Sequence, residues 1–301
     1  MLIANPIYDV VFKRMMENEK VAKFFIGTLL EEIIETIEVQ PQEFTYTDAL
    51  SALAVFRLDF IATIRTKTGE QRKVLIEIQK AKNQIDLMRF RNYLAEQYKK
   101  EDTVNNQRIA LPITTIYILG FKLNEIDTPC LKVERNYMDH TNKTTLNVKS
   151  DFVEKLTHDS FIVQVERITN RYQTKLDKLL SIFEQSNFAD DKRLTKEFTH
   201  EIDVEEMKVT TDILHHSGTN PEEKKKLETE QEAWRTVDAM THDLREKLTL
   251  QNKEIAEKDQ ALTEKDKALT EKDQALTEKD QALGEKDKLI SELLLKLNEK
   301  K

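Results

Sequence analysis

Ile255, Leu262, Leu269, Leu276, Leu283, Ile290 and Leu297 recur every seventh residue, and from Ala261 successive copies of Ala-Leu-Thr-Glu-Lys-Asp follow one another almost unchanged. A strict period of seven is close to two helical turns, so the stripe stays on one side of an α-helix and predicts a coiled coil. The second seam position is Asp or Lys, depending on register, and becomes apolar only at Leu293 or Leu294. A seam that is half charged makes a weak zipper. The expectation is a long helix over 221–301 with a coiled coil over 254–301, held mainly around Leu289 to Leu297 as a parallel homodimer. The alternative is a single solvated helix laced with Glu–Lys pairs. Copies this alike suggest expansion of a short tandem repeat, so catalysis is expected elsewhere.

Two apolar segments upstream carry acids. Arg57-Leu58-Asp59-Phe60-Ile61 is followed by a turn at Lys67-Thr68-Gly69-Glu70 and then by Val74-Leu75-Ile76-Glu77-Ile78-Gln79-Lys80. Side chains alternate along a strand, so Glu77 and Gln79 share one face while Val74, Ile76 and Ile78 line the other. If the turn at Gly69 closes a hairpin, Asp59 comes beside that polar face, and two carboxylates and an amide converge where a hard divalent cation could sit. This is the geometry of a metal-dependent phosphodiesterase. The competing explanation is an edge strand with a charged solvent face.

The flanking patterns extend the fold. Apolar residues at helical spacing run from Ile7 to Glu38, Ile85 to Tyr98 reads as an amphipathic helix, and Ala110 to Gly120 is an apolar run typical of a strand buried on both faces. The order is helix, two or three strands, helix, strand. Further on, Phe161 to Glu166 reads as a strand, Tyr172 to Gln185 as a helix and Asp191 to Leu214 as another helical stretch. Pro221 is placed to start the long helix, with Asn220 near its cap. His215-His216 has no ligand spacing to support a metal.

This order, with Tyr8-Asp9-Val10-Val11-Phe12-Lys13, the Arg57-Leu58-Asp59 strand, the Ile76-Glu77-Ile78-Gln79 strand, the Arg89-Phe90-Arg91-Asn92-Tyr93 helix and the Ile113 to Leu119 strand, resembles the PD-(D/E)xK nuclease family transposases, relatives of recombination-promoting nucleases. The resemblance covers roughly residues 5 to 185 and lies in the order and spacing of short motifs. It implies an α/β fold with a restriction-endonuclease-like αβββαβ core and added strands and helices. The implied domains are a nuclease-like one over 1–185, a helical connector and hinge over 186–220, and the long C-terminal coiled-coil helix.

By the same resemblance Asp59 and Glu77 hold Mg²⁺ or Mn²⁺, Gln79 stands where the superfamily usually has lysine, and Lys80, Arg89, Arg91 and Tyr93 contact the DNA. The implied chemistry is hydrolysis of a phosphodiester by metal-activated water. A glutamine can orient that water but supplies no cation. Lys80 points to the opposite face unless a bulge re-aims it. Asp9 is better placed as a helix N-terminal acid than as a further ligand.

Composition limits the partners. Asp and Glu number 55 against 47 Lys and Arg, a formal net charge of -8, so no global attraction draws the chain to a polyanion. A local patch has to supply it: Arg65, Lys67, Arg72, Lys73, Lys80, Lys82, Arg89, Arg91, Lys99 and Lys100 fall around the acid pair. The single cysteine, Cys130, excludes an intramolecular disulfide, and no apolar run approaches the roughly 20 residues that span a bilayer. Asn5-Pro6 and Asp9 come too early for a signal sequence, so a cytoplasmic protein is expected. Two functions are compatible with this sequence. One is a metal-dependent DNA endonuclease; the other is a catalytically inactive nuclease-fold scaffold acting through coiled-coil oligomerisation.

Overall fold

A computed structural model describes residues 1–47, 54–80, 84–169, 171–188 and 194–298. It is an α/β structure that divides into two units, Met1–Trp234 and Arg235–Lys301. In the first unit β1 (Leu2–Ala4) leads into two helices, α1 (Asp9–Met16) and α2 (Glu19–Leu30). Three strands follow, β2 (Ile34–Thr47), β3 (Ala54–Thr66) and β4 (Gln71–Gln79), and then α3 (Gln84–Lys99). The short pair β5 (Asp102–Val104) and β6 (Gln107–Ile109) precedes β7 (Ile113–Leu119). Next come β8 (Cys130–Val133), β9 (Tyr137–Asp139), β10 (Thr144–Leu146), α4 (Asp151–Leu156) and β11 (His158–Gln164). The chain continues through α5 (Lys175–Ser181), β12 (Thr195–Glu197) and α6 (Glu205–Thr219) into α7 (Pro221–Asn298).

A mixed six-stranded sheet in the order β2-β3-β4-β7-β11-β8 organises this unit. β2, β3 and β4 are antiparallel neighbours, β4, β7 and β11 are parallel, and β8 closes the far edge antiparallel to β11. The β3–β4 connection is tight because Gly69 takes a left-handed φ of 89°, open to glycine at no steric cost. Parallel strands need a long crossover, and α3 provides it between β4 and β7.

The two faces of the sheet are covered differently. Val74, Ile76 and Ile78 of β4 join Phe60, Ala62 and Ile64 of β3 in the larger core, beneath α1 and α2. On the other face Leu75, Ile61 and Ile113 pack with Phe90 and Tyr93 of α3. β7 is buried at nearly every position, as its apolar run predicts.

Three differences from the sequence pattern have physical causes. The helical spacing over Ile7–Glu38 resolves into two helices and the start of β2, because Glu31 turns left-handed (φ 58°) and ends α2. The stretch read as helical over Asp191–Leu214 instead holds β12, which pairs with β1 at the N-terminus, and only then α6. Residues 191–193 lie outside those described. The first unit also continues past residue 185, because α6 packs on β1, α1 and α2. Among the described residues no helix is long and apolar enough to cross a membrane.

Lys196 of β12 is a buried cation held by backbone oxygens. Its Nζ donates to the carbonyls of Ser181 (2.7 Å) and Glu184 (3.0 Å) and stands 4.8 Å from the centroid of the Phe188 ring. Burial depresses its pKa to about 8, against a smaller upward pull from Glu184. Above that pH the unfolded chain holds a proton that the folded chain has released, so stability rises with pH there. The urea midpoint should therefore increase from about pH 7.5 to about pH 9.5, and Lys196→Met should lose that increase. A wild-type midpoint that falls across this window contradicts the assignment.

Candidate functional site

Glu77 lies near the C-terminal end of β4, on the face shared with Leu75 and Gln79 and covered by α3. It is 1% exposed, a degree of burial that carboxylates reach only in special settings. Its ladder neighbour on β7 is Tyr117. Burial pushes the Tyr117 hydroxyl above the ordinary tyrosine range, and the nearby Glu77 carboxylate adds to that rise. Phe90 of α3 sets its ring edge-on to Tyr117, with centroids 4.7 Å apart. Glu77 is thus buried beside the Tyr117 strand position, where a charge acts strongly on whatever binds next to it.

On the other side of Glu77 lies β3. The ladder pairs Ile61 with Leu75 and Phe60 with Ile76. There the ladder ends, one residue short of Asp59 on β3 and of Glu77 on β4. Asp59 pairs with Gln42 of β2, so its backbone position is fixed within the β2–β3 ribbon. The side chains of Asp59 and Arg89 lie outside the described residues. Gln79, half-buried, follows Glu77 on the same face, and its carbonyl accepts the Gly120 N–H (2.8 Å).

The remaining predicted residues separate. Tyr93 is buried in the small core under α3, 5% exposed, with its ring 6.3 Å from Phe90. Arg91 is exposed. Lys80 bonds to the carboxylate of Glu230 in α7, on the side of β4 away from Glu77. The basic cluster is largely engaged within the molecule: Arg65 pairs with Glu35 (2.9 Å), Arg72 with Glu32 (3.0 Å) and Glu70 (2.9 Å), Lys73 with Asp102 (2.9 Å) and Lys99 with Glu96 (3.0 Å). Lys67, Arg91 and Lys100 are exposed, and Lys82 lies outside the described residues.

Two participants escaped the sequence pattern. Tyr117 is the one aromatic in the β7 run, and only strand registration puts it beside Glu77. Glu230 belongs with Leu227, Gln231 and Trp234 to a stripe at helical spacing, which marks α7 as docking there but not on what.

The donors described at this place are the Glu77 carboxylate and the Gln79 amide, with oxygens to offer. That set suits a hard cation such as Mg²⁺ or Mn²⁺ rather than a thiolate- or imidazole-seeking metal. Among the described residues no three His, Cys, Asp or Glu side chains gather as a cluster. Comparison of the chain with protein-family models, curated proteins and solved structures finds no match.

Proposed function

We propose that this chain is a Mg²⁺- or Mn²⁺-dependent DNA endonuclease of the PD-(D/E)xK type, from a mobile-element or recombination-associated group. The observation that carries this reading is the buried Glu77 on a central strand, next to β3, whose ladder with β4 ends one residue short of Asp59. The element order α1-α2, β2-β3-β4, α3, β7 supports an αβββαβ core of the restriction-endonuclease-like kind.

In this reading Asp59 and Glu77 would hold the cation, which would supply a lowered water pKa and offset charge on the phosphate. Gln79 orients the attacking water through its amide, and Arg89, Arg91 and Lys100 steady the DNA backbone. The test is nicking of supercoiled plasmid and cutting of single-stranded DNA by the purified full chain, with Mg²⁺ or Mn²⁺ against chelator. Metal-dependent cleavage is expected, and its absence on both substrates abandons the nuclease for the scaffold.

The second reading, an inactive nuclease-fold scaffold that oligomerises, draws on α7. Leu262, Leu269, Leu276 and Leu283 are 58–63% exposed along it, a stripe that a second copy of the chain covers in a parallel coiled coil. Both readings share this homodimer. Leu269→Asp with Leu276→Asp should convert a dimer at tens of micromolar into monomer by sedimentation velocity, leaving the first unit's melting unchanged. A wild type that is already monomeric there removes the coiled coil.

A further inference from the structure

Glu230 makes three contacts that converge at the end of β4. One oxygen accepts the Asp9 N–H (2.9 Å) and the other the Val10 N–H (3.0 Å), so this carboxylate occupies the N-terminus of α1. The first N–H groups of a helix lack intrahelical partners, and Tyr8 at the cap position has no capping side-chain bond, so Glu230 supplies from α7 what local sequence does not. The third contact is the ion pair with Lys80. Both side chains are nearly enclosed, 12% and 13% exposed, and the ammonium lies 4.5 Å from the Tyr8 ring centroid and 4.6 Å from that of Trp234.

Lys80 is fixed by its backbone as well. A Cβ at Gly120 would come within 3.0 Å of the Lys80 carbonyl and 3.1 Å of its Cα, so a larger residue there would have to push β7's end and Lys80 apart by a few tenths of an ångström. Glu77 and Gln79 lie three residues and one residue before Lys80.

We propose that Glu230 is a positioning residue for the site: it clamps Lys80, and thereby holds the C-terminal end of β4 with Glu77 and Gln79 in place. The first turns of α7 are then part of the working fold rather than the base of an appendage. The proposal rests on the nuclease reading for its catalytic consequence, while its structural half stands independently. Removing one member of an enclosed ion pair leaves the other charge without compensation, and the strand end is where that strain has its outlet.

The test compares full-length wild type with Glu230→Gln, which keeps the shape and removes the charge, and with Glu230→Asp as a conservative variant. Amide hydrogen exchange is followed at Ile78 to Lys80 and at Gly120, below the melting transition. In Glu230→Gln exchange at these amides should accelerate about tenfold while β11 is unaffected, and kcat for plasmid nicking should fall about tenfold with KM within about twofold. Glu230→Asp should recover part of both. Unchanged exchange at the end of β4 overturns the proposal whatever the enzyme does. Accelerated exchange with unchanged kcat also overturns it, since the residue is then structural only. Wild type that cleaves nothing refutes the nuclease reading separately, and the exchange result then decides for or against the clamp.

Discussion

Glu77→Gln should abolish Mg²⁺-dependent cleavage while leaving the fold at least as stable as wild type. The substitution keeps the side chain's shape and one acceptor oxygen but removes the charge that holds a cation. A loss of about 1,000-fold or more, roughly 4 kcal/mol of transition-state stabilisation, is the size expected when a metal-holding carboxylate goes. Stability should move the other way, because burying a carboxylate costs free energy that a neutral amide does not incur to the same degree. Asp59→Asn should behave alike in activity. Mg²⁺ should raise the melting temperature of wild type and of neither variant, since only a ligand bound to the folded state shifts melting. Gln79→Lys introduces the lysine usual at that place in the PD-(D/E)xK nucleases the chain resembles and, on the proposed function, should preserve or increase cleavage. A Glu77→Gln protein that retains cleavage means that the acid serves something other than metal.

The largest effect on folding is expected at Phe12 in α1. Its ring is fully buried and meets Phe60 of β3 at 5.1 Å, Phe25 of α2 at 5.4 Å and Phe183, just after α5, at 6.5 Å between centroids. Three separate segments close on one side chain, so none can collapse into the void without moving its own element. Phe12→Ala should therefore cost about 3–5 kcal/mol, the usual range for deleting a buried aromatic. In thermal unfolding that is a drop of roughly 10 °C or more. A loss under about 1 kcal/mol, measured by urea unfolding with unchanged slope, means that the cluster repacks and is not the keystone of the first unit.

Features with a short period were legible in the sequence. The heptad stripe, the alternation in Val74 to Gln79 and the amphipathic run of α3 each repeat within a turn or two, and each gave the right element type. Asn220 beside Pro221 marked the start of α7, and its Oδ1 accepts the N–H groups of Glu222 (3.0 Å) and Glu223 (3.2 Å). What failed depends on distant partners. β12 is a strand because β1, nearly the whole unit away in sequence, offers it an edge, and the polar Thr195-Lys196-Glu197 carries no periodicity of its own. The resemblance gives Tyr93 to the DNA, yet the small core holds its ring beside Phe90. Charge was the least legible property: a run of basic residues looks like a patch for a polyanion until folding brings Glu32, Glu35 and Asp102 against it. Of the candidate site, the acids and their strands could be named, but the burial of Glu77 and its pairing with Tyr117 follow only from the three-dimensional arrangement.

The central claim, that Glu77 and Asp59 are together for a divalent cation, is most directly tested by crystals of the full chain soaked in Mn²⁺ and measured for anomalous scattering. A single anomalous peak between the two carboxylates, within about 2.0–2.4 Å of an oxygen of each, is the predicted result. Two well-ordered carboxylates with no peak between them, at a Mn²⁺ concentration in the millimolar range, would contradict it.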